Sequence, residues 1–122
     1  MKQSPKREDL SNFVVTFSHC VVAEGMTFDD MYMPIQEWGE YTAENGSSAG
    51  HFVFLPSYGG GNEDFDFKWV STADSFVSLG ADWDRFSEGG WEKANELFRG
   101  KLSCDSSRVY VATTRRSAAD DE

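Results

Sequence analysis

The sequence predicts an α+β fold in which two helices pack on one face of a four-stranded antiparallel sheet, and three observations carry that prediction. Several short segments are rich in β-branched and aromatic residues, two intervening segments carry apolar residues at helical spacing, and their order is strand, helix, strand, strand, helix, strand. A chain of 122 residues is the size of one domain, and its 39% hydrophobic and 15% aromatic content supplies a core without staples. The reading is a single domain over 12–115, a flexible tail at 1–11 and an acidic tail at 116–122.

Residues 12–22, NFVVTFSHCVV, read as the first strand. Alternation puts Phe13, Val15, Phe17, His19 and Val21 on one face and Val14, Thr16, Ser18, Cys20 and Val22 on the other. The aromatic face is the one expected beneath the helices. Gly25 ends the strand, and Thr27 with Asp30 three residues on forms a capping box opening a helix over 28–44. Pro34 is welcome only in a first turn, so it divides a short turn, Phe28–Met33, from the main helix, Pro34–Glu44, which Asn45-Gly46 stops. Ile35, Trp38, Tyr41 and Thr42 form its sheet-facing stripe.

HFVFLP, 51–56, is the second strand and FDFKWVS, 65–71, the third, joined by SYGGGNED. The third alternates Phe65, Phe67 and Trp69 against Asp66 and Lys68. That polar pair fits an ion pair at an interface, a polar barrel interior, or a solvated sheet face. From Ser78, Leu79, Trp83 and Phe86 recur at helical spacing; Gly89-Gly90 breaks the helix, 91–99 resumes it with Trp91, Ala94, Leu97 and Phe98 as the apolar side, and Gly100 stops it. RVYVATT, 108–114, is the last strand. Trp69, Trp83 and Trp91 are expected in the core.

This element order is the ferredoxin-like βαββαβ arrangement, with strands in the order 4-1-3-2 and helices on one face. The other face is left bare, exposing Val14, Val70, Phe52 and Phe54, or their opposite-face neighbours, for association. Over 12–115 the order and lengths of the elements, and the texture of FDFKWVS followed by GADWDRFSEGGW, resemble the dimeric α+β-barrel superfamily and its small uncharacterised members. The resemblance implies a homodimer of sheets packed face to face. Its members include cofactor-free monooxygenases, haem-binding and haem-degrading proteins, isomerases, lactone-forming enzymes and stress-responsive proteins, so fold alone does not choose a function.

Asp and Glu total 21 against 11 Lys and Arg, and the net charge of −10 disfavours nucleic acid and anionic membrane surfaces as partners. No apolar signal core and no stretch of roughly 18 apolar residues is present, so a cytoplasmic location is expected. In that reducing setting Cys20 and Cys104 are expected as free thiols. Gly59-Gly60-Gly61 lead into Asn62-Glu63-Asp64 and a strand, not into a helix with a following Lys, so they read as a hairpin loop rather than a phosphate cradle. No hydrolase, zincin or nucleotide-binding motif appears, and no ligand spacing calls for a metal or another cofactor.

His19 is the acid–base candidate, having a near-neutral unperturbed pKa and projecting from the face read as helix-covered. Tyr32 and Tyr58 are candidate hydroxyls at the same sheet end, where the glycine loop, Asp64 and the start of the last strand also gather. The structural alternative is a histidine satisfied by backbone or carboxylate. His51, several residues away along the strand direction, shares no metal with His19 within one subunit. Cys20 points away from His19, and Cys104 offers only a weak Cys–His pairing. The function expected is a homodimer with a pocket between helices and sheet that binds, or acts without a cofactor on, a small hydrophobic or aromatic molecule. The alternatives are a non-catalytic stress or assembly dimer with a filled interior, and a haem protein with His19 or His51 as axial ligand.

Overall fold

The structure, a computed structural model, describes residues 12–57 and 64–115. The two expected tails, Tyr58 and the glycine run 59–61 lie outside the described residues. The strands are β1 (Asn12–Val22), β2 (Gly50–Phe54), β3 (Phe67–Ala73), β4 (Leu102–Cys104) and β5 (Arg108–Thr113). They form one antiparallel five-stranded sheet in the order β2-β3-β1-β4, with β5 also paired to β1. The last strand expected over 108–114 is β5, which pairs with the first half of β1 from Asn12↔Thr113 to Phe17↔Arg108; an additional short strand not expected, β4, shares that flank and covers Cys20↔Cys104 to Val22↔Leu102.

A 3-10 turn at Phe28–Met31 leads into α1 (Tyr32–Glu44), with Pro34 in the first turn. The Thr27 N–H donates to the Asp30 carboxylate at 2.8 Å, as the capping reading requires. Gly46, at φ +99°, ends α1 in the left-handed conformation that favours glycine. The second helical region is longer than expected at its start. It comprises α2 (Phe76–Arg85), a π-helical stretch at Phe86–Gly90 and α3 (Trp91–Phe98). Ser75, three residues before the expected Ser78, is the N-cap, its hydroxyl accepting from the Ser78 N–H at 3.2 Å.

Which sheet face the helices cover reverses the expectation for β1. Leu79 of α2 packs on Val14 and Ala73 in a buried cluster, so the helices lie over the Val14, Thr16 and Cys20 face. Direct register adds Phe67, Trp69 and His51 to that face, and leaves Phe17, His19, Lys68, Val70, Phe52, Phe54 and Tyr110 on the open one. The physical reason is satisfaction rather than size. Under the helices the Thr16 hydroxyl shares a 2.7 Å hydrogen bond with Ser71, so the smaller, partly polar face loses nothing on burial. Of the residues expected in the exposed patch, Val14 is thereby buried, and Val70, though on the open face, is only 5% exposed.

Three further expectations are corrected. Cys20 and Cys104 are bridged, with Cα atoms 4.1 Å apart and an S–S distance of 2.09 Å, because they stand directly opposite each other in the β1–β4 pair. Phe65 and Asp66 precede β3 instead of alternating within it: Phe65 stacks on His19, and the Asp66 carboxylate accepts from the Val22 N–H at 2.8 Å rather than pairing with Lys68. Lys68 instead holds its ammonium 5.0 Å from the centre of the Phe17 ring. Trp83 and Trp91 are about half exposed, not core residues, whereas Trp69 packs edge-on against Phe98. No helix among the described residues is long and apolar enough to cross a membrane.

Candidate functional site

The helices do not close on the sheet. Between them lies an open cavity of about 890 Å³, floored by Thr16, Ser71, Trp69 and His51 and walled by Trp38 and Tyr41 of α1, Trp83 of α2, Phe86 and Phe98. The half-buried aromatic stripe of α1 thus faces a space rather than a packed sheet. Trp38 stacks on Tyr41 with centroids 5.6 Å apart and meets Phe86 edge-on at 6.2 Å. On α2, Asp82 and Arg85 form an ion pair of 2.6 Å along the wall.

His51 stands at the end of a hydrogen-bonded chain whose polarity can be read off its donors. The Trp69 indole N–H has no acceptor capacity, so it donates to His51 Nδ1 at 3.3 Å. The proton of a neutral imidazole is then on Nε2, which faces the Thr42 hydroxyl oxygen at 3.4 Å, while that hydroxyl donates to the Gly39 carbonyl at 2.9 Å. A second proton on Nδ1 would confront an indole N–H with no lone pair between them. Burial lowers the His51 pKa, the nearby Asp82 carboxylate opposing it, and the hydrogen-bond chain points the same way: His51 is neutral.

His19 lies on the opposite face of the sheet, away from this cavity. Its ring stacks on Phe65 at 4.1 Å with planes 8° apart, and Nδ1 is 3.7 Å from the Asp105 carboxylate. The Asp105 carboxylate accepts from Arg108 at 2.9 Å and from the His19 backbone N–H at 2.8 Å, which together hold its pKa below the usual carboxylate range. His19 and Asp105, with Asp64, Phe65, Val21 and Ser103, line a second hollow of about 290 Å³. Asp64 and the segment before β5 therefore do gather at His19, but Tyr32 does not: it is exposed on the first turn of α1, its ring against Phe28. His51 and His19, on opposite faces, share no site, and among the described residues no cluster of His, Cys, Asp and Glu is placed to hold a metal ion.

Sequence reasoning named His51 only as an alternative axial ligand and Thr42 only within the stripe of α1; their place together in this cavity, and Asp82 and Arg85 in its wall, it did not reach. The signal for His51 was present in HFVF, whose alternation separates His51 and Val53 from Phe52 and Phe54, but only the register with Ser71 identifies the covered side. No family model matches the chain, and no curated protein does. Among solved structures, the de novo designed protein Foldit4 superposes with a TM-score of 0.45 at 13% identity, covering 86% of this chain and 100% of its own.

Proposed function

We propose that the protein binds a small, largely apolar molecule in the cavity between helices and sheet, and does so as a homodimer. The observation that carries this reading is the aromatic-lined space of about 890 Å³, within the range of roughly 300–1,000 Å³ typical of ligand pockets. What favours binding over turnover is that both ring nitrogens of the cavity histidine are engaged, leaving it no free lone pair for general-base work. His19, the acid–base candidate, would serve a different hollow, and a haem reading meets the same obstacle at His51.

Dimerisation is read from the open sheet face. Phe13, Phe52, Phe54 and Tyr110 are 37%, 51%, 55% and 57% exposed there. At about 200 Å² per aromatic side chain they leave about 400 Å² of ring surface in water, as large as the biggest patches usual on monomers. It is also roughly half of what one partner contributes to a standard interface. Two such sheets packed face to face, each a ferredoxin-like βαββαβ unit with the short additional strand β4, would bury that surface. The disulfide fits an oxidising environment, so the cytoplasmic location expected from sequence is not carried into this reading.

Nile red, an uncharged dye that brightens in apolar surroundings, tests the cavity. Saturable enhancement should be lost on replacing Ala94, which lines the cavity, by Trp, and retained in Phe54→Asp on the open face. Enhancement that survives Ala94→Trp and vanishes with Phe54→Asp refutes the site. Light scattering on the same Phe54→Asp variant should show a monomer where the parent chain is a dimer; a monomeric parent chain refutes the association.

A further inference from the structure

We propose that the cavity selects an organic cation, a quaternary or protonated amine carried on an apolar body. This rests on the reading of the cavity as a ligand site and concerns only the ligand's charge. Its aromatic rings are not all parallel: Trp38 and Tyr41 stack at 23°, while the other pairs stand edge to face. Phe86 lies at 63° to Trp38, and Phe98 at 72° to Trp69. Trp83 and Phe86 are 51% and 38% exposed at the wall. Ring faces left uncovered along such an aromatic lining attract a cation through their electron-rich π surface.

The charged groups lining the cavity do not overrule the rings. Arg85 is committed to Asp82 at 2.6 Å, so the pair offers an incoming anion little net attraction. Arg99 and Glu88 also reach the lining and oppose one another in sign, and neither is in an ion pair among the described residues. His51, holding its single ring proton toward Thr42, adds no positive charge to the floor. With the local charges balanced, the choice falls to the ring faces and to the chain's net charge of −10, and both favour a cation over an anion of the same shape. A neutral ligand would fill the space but gain nothing from either.

The test is a set of probes matched in shape. Phenyltrimethylammonium, its uncharged isostere tert-butylbenzene, and benzenesulfonate are titrated into the full oxidised chain, and the fluorescence of Trp38, Trp69 and Trp83 in the lining is followed. The cation should bind roughly tenfold tighter than tert-butylbenzene, with benzenesulfonate weakest, and Trp83→Leu and Glu88→Gln should each narrow that margin. Ala94→Trp should remove the response to all three. If tert-butylbenzene binds as tightly as the cation, the charge preference is overturned while the cavity stands as a ligand site. If no probe gives a saturable response, the ligand site itself fails. If the cation response survives Ala94→Trp, the cation binds elsewhere and the proposal is wrong.

Discussion

Opening the Cys20–Cys104 bridge should cost a large share of the stability of this domain. The two residues are separated by 84 positions, so the bridge closes a loop spanning most of the described chain. In the chain-entropy account a loop of that length constrains the unfolded state by about 4–5 kcal/mol, against roughly 5–15 kcal/mol for the whole stability of a typical domain. What remains in the native state after reduction is a three-residue strand, β4. The Ala23 N–H donating to the Lys101 carbonyl at 2.8 Å and the Asp105 N–H donating to the His19 carbonyl at 3.0 Å hold it in place. The assay is urea and thermal unfolding of the oxidised chain and of the Cys20→Ala/Cys104→Ala variant, with a thiol titration to confirm the bridge in the former. Alanine is chosen because Cys20 is fully buried and a serine would place a hydroxyl beside Phe67. A fall in melting temperature on the order of 15–25 °C is expected for a domain of this size. A difference under about 3 °C would show that β1 and β4 are held in register without the bridge and that the loop-entropy reasoning fails here.

Three further outcomes follow from single positions. The His51 pKa lies below its ordinary 6.5, so the contribution of the neutral ring is complete above about pH 6.5 and is lost as pH falls from there through the folded-state pKa. Urea midpoints at pH 7.5 and 5.0 should show the loss, which should shrink in His51→Gln, and a His51 ring that titrates at or above 6.5 by NMR would contradict it. Leu79→Ala removes a side chain only 6% exposed from its contact with Val14 and Ala73, and chemical denaturation should register a loss of about 2–4 kcal/mol. Ser75→Ala deletes the acceptor for the Ser78 N–H and should cost about 1 kcal/mol by the same measurement, with Ser75→Asp restoring most of it.

Much of the fold is legible in the sequence because its signals are local. Pro34 can sit only in a first turn and does; Gly46 and Gly100 adopt φ of +99° and +78°, where glycine is favoured, and end their helices. The eleven residues of β1 alternate for their whole length. The misread elements are those set by distant partners. Asp66 continues the residue pattern of Phe65 and Phe67, yet it lies before β3, with its carboxylate accepting from the Val22 N–H. The sequence LSC of β4 has too few residues to show any period, and without β4 nothing places Cys104 opposite Cys20.

The site was harder to read for a related reason: alternation divides a strand into two faces but does not say which one a helix will cover. The larger side chains of β1, Phe13 and Phe17, invite the inference that their face is the core, and that inference carried His19 into a pocket it does not line. The helices settle instead where every polar group beneath them finds a partner: Thr16 with Ser71, His51 with Trp69 and Thr42. That choice strands the large rings on the open face, and it also leaves Trp38, Tyr41 and Trp83 opposite small side chains such as Thr16 and Ser71, too short to meet them. Large rings on the helices over short side chains on the sheet cannot close to interior packing density. The cavity is a consequence of that mismatch, so filling it from the sheet side, with Ser71→Leu combined with Thr16→Val so that no buried hydroxyl is left without its partner, should raise stability while removing dye binding. A variant that binds Nile red as before would place the dye somewhere other than between these two layers.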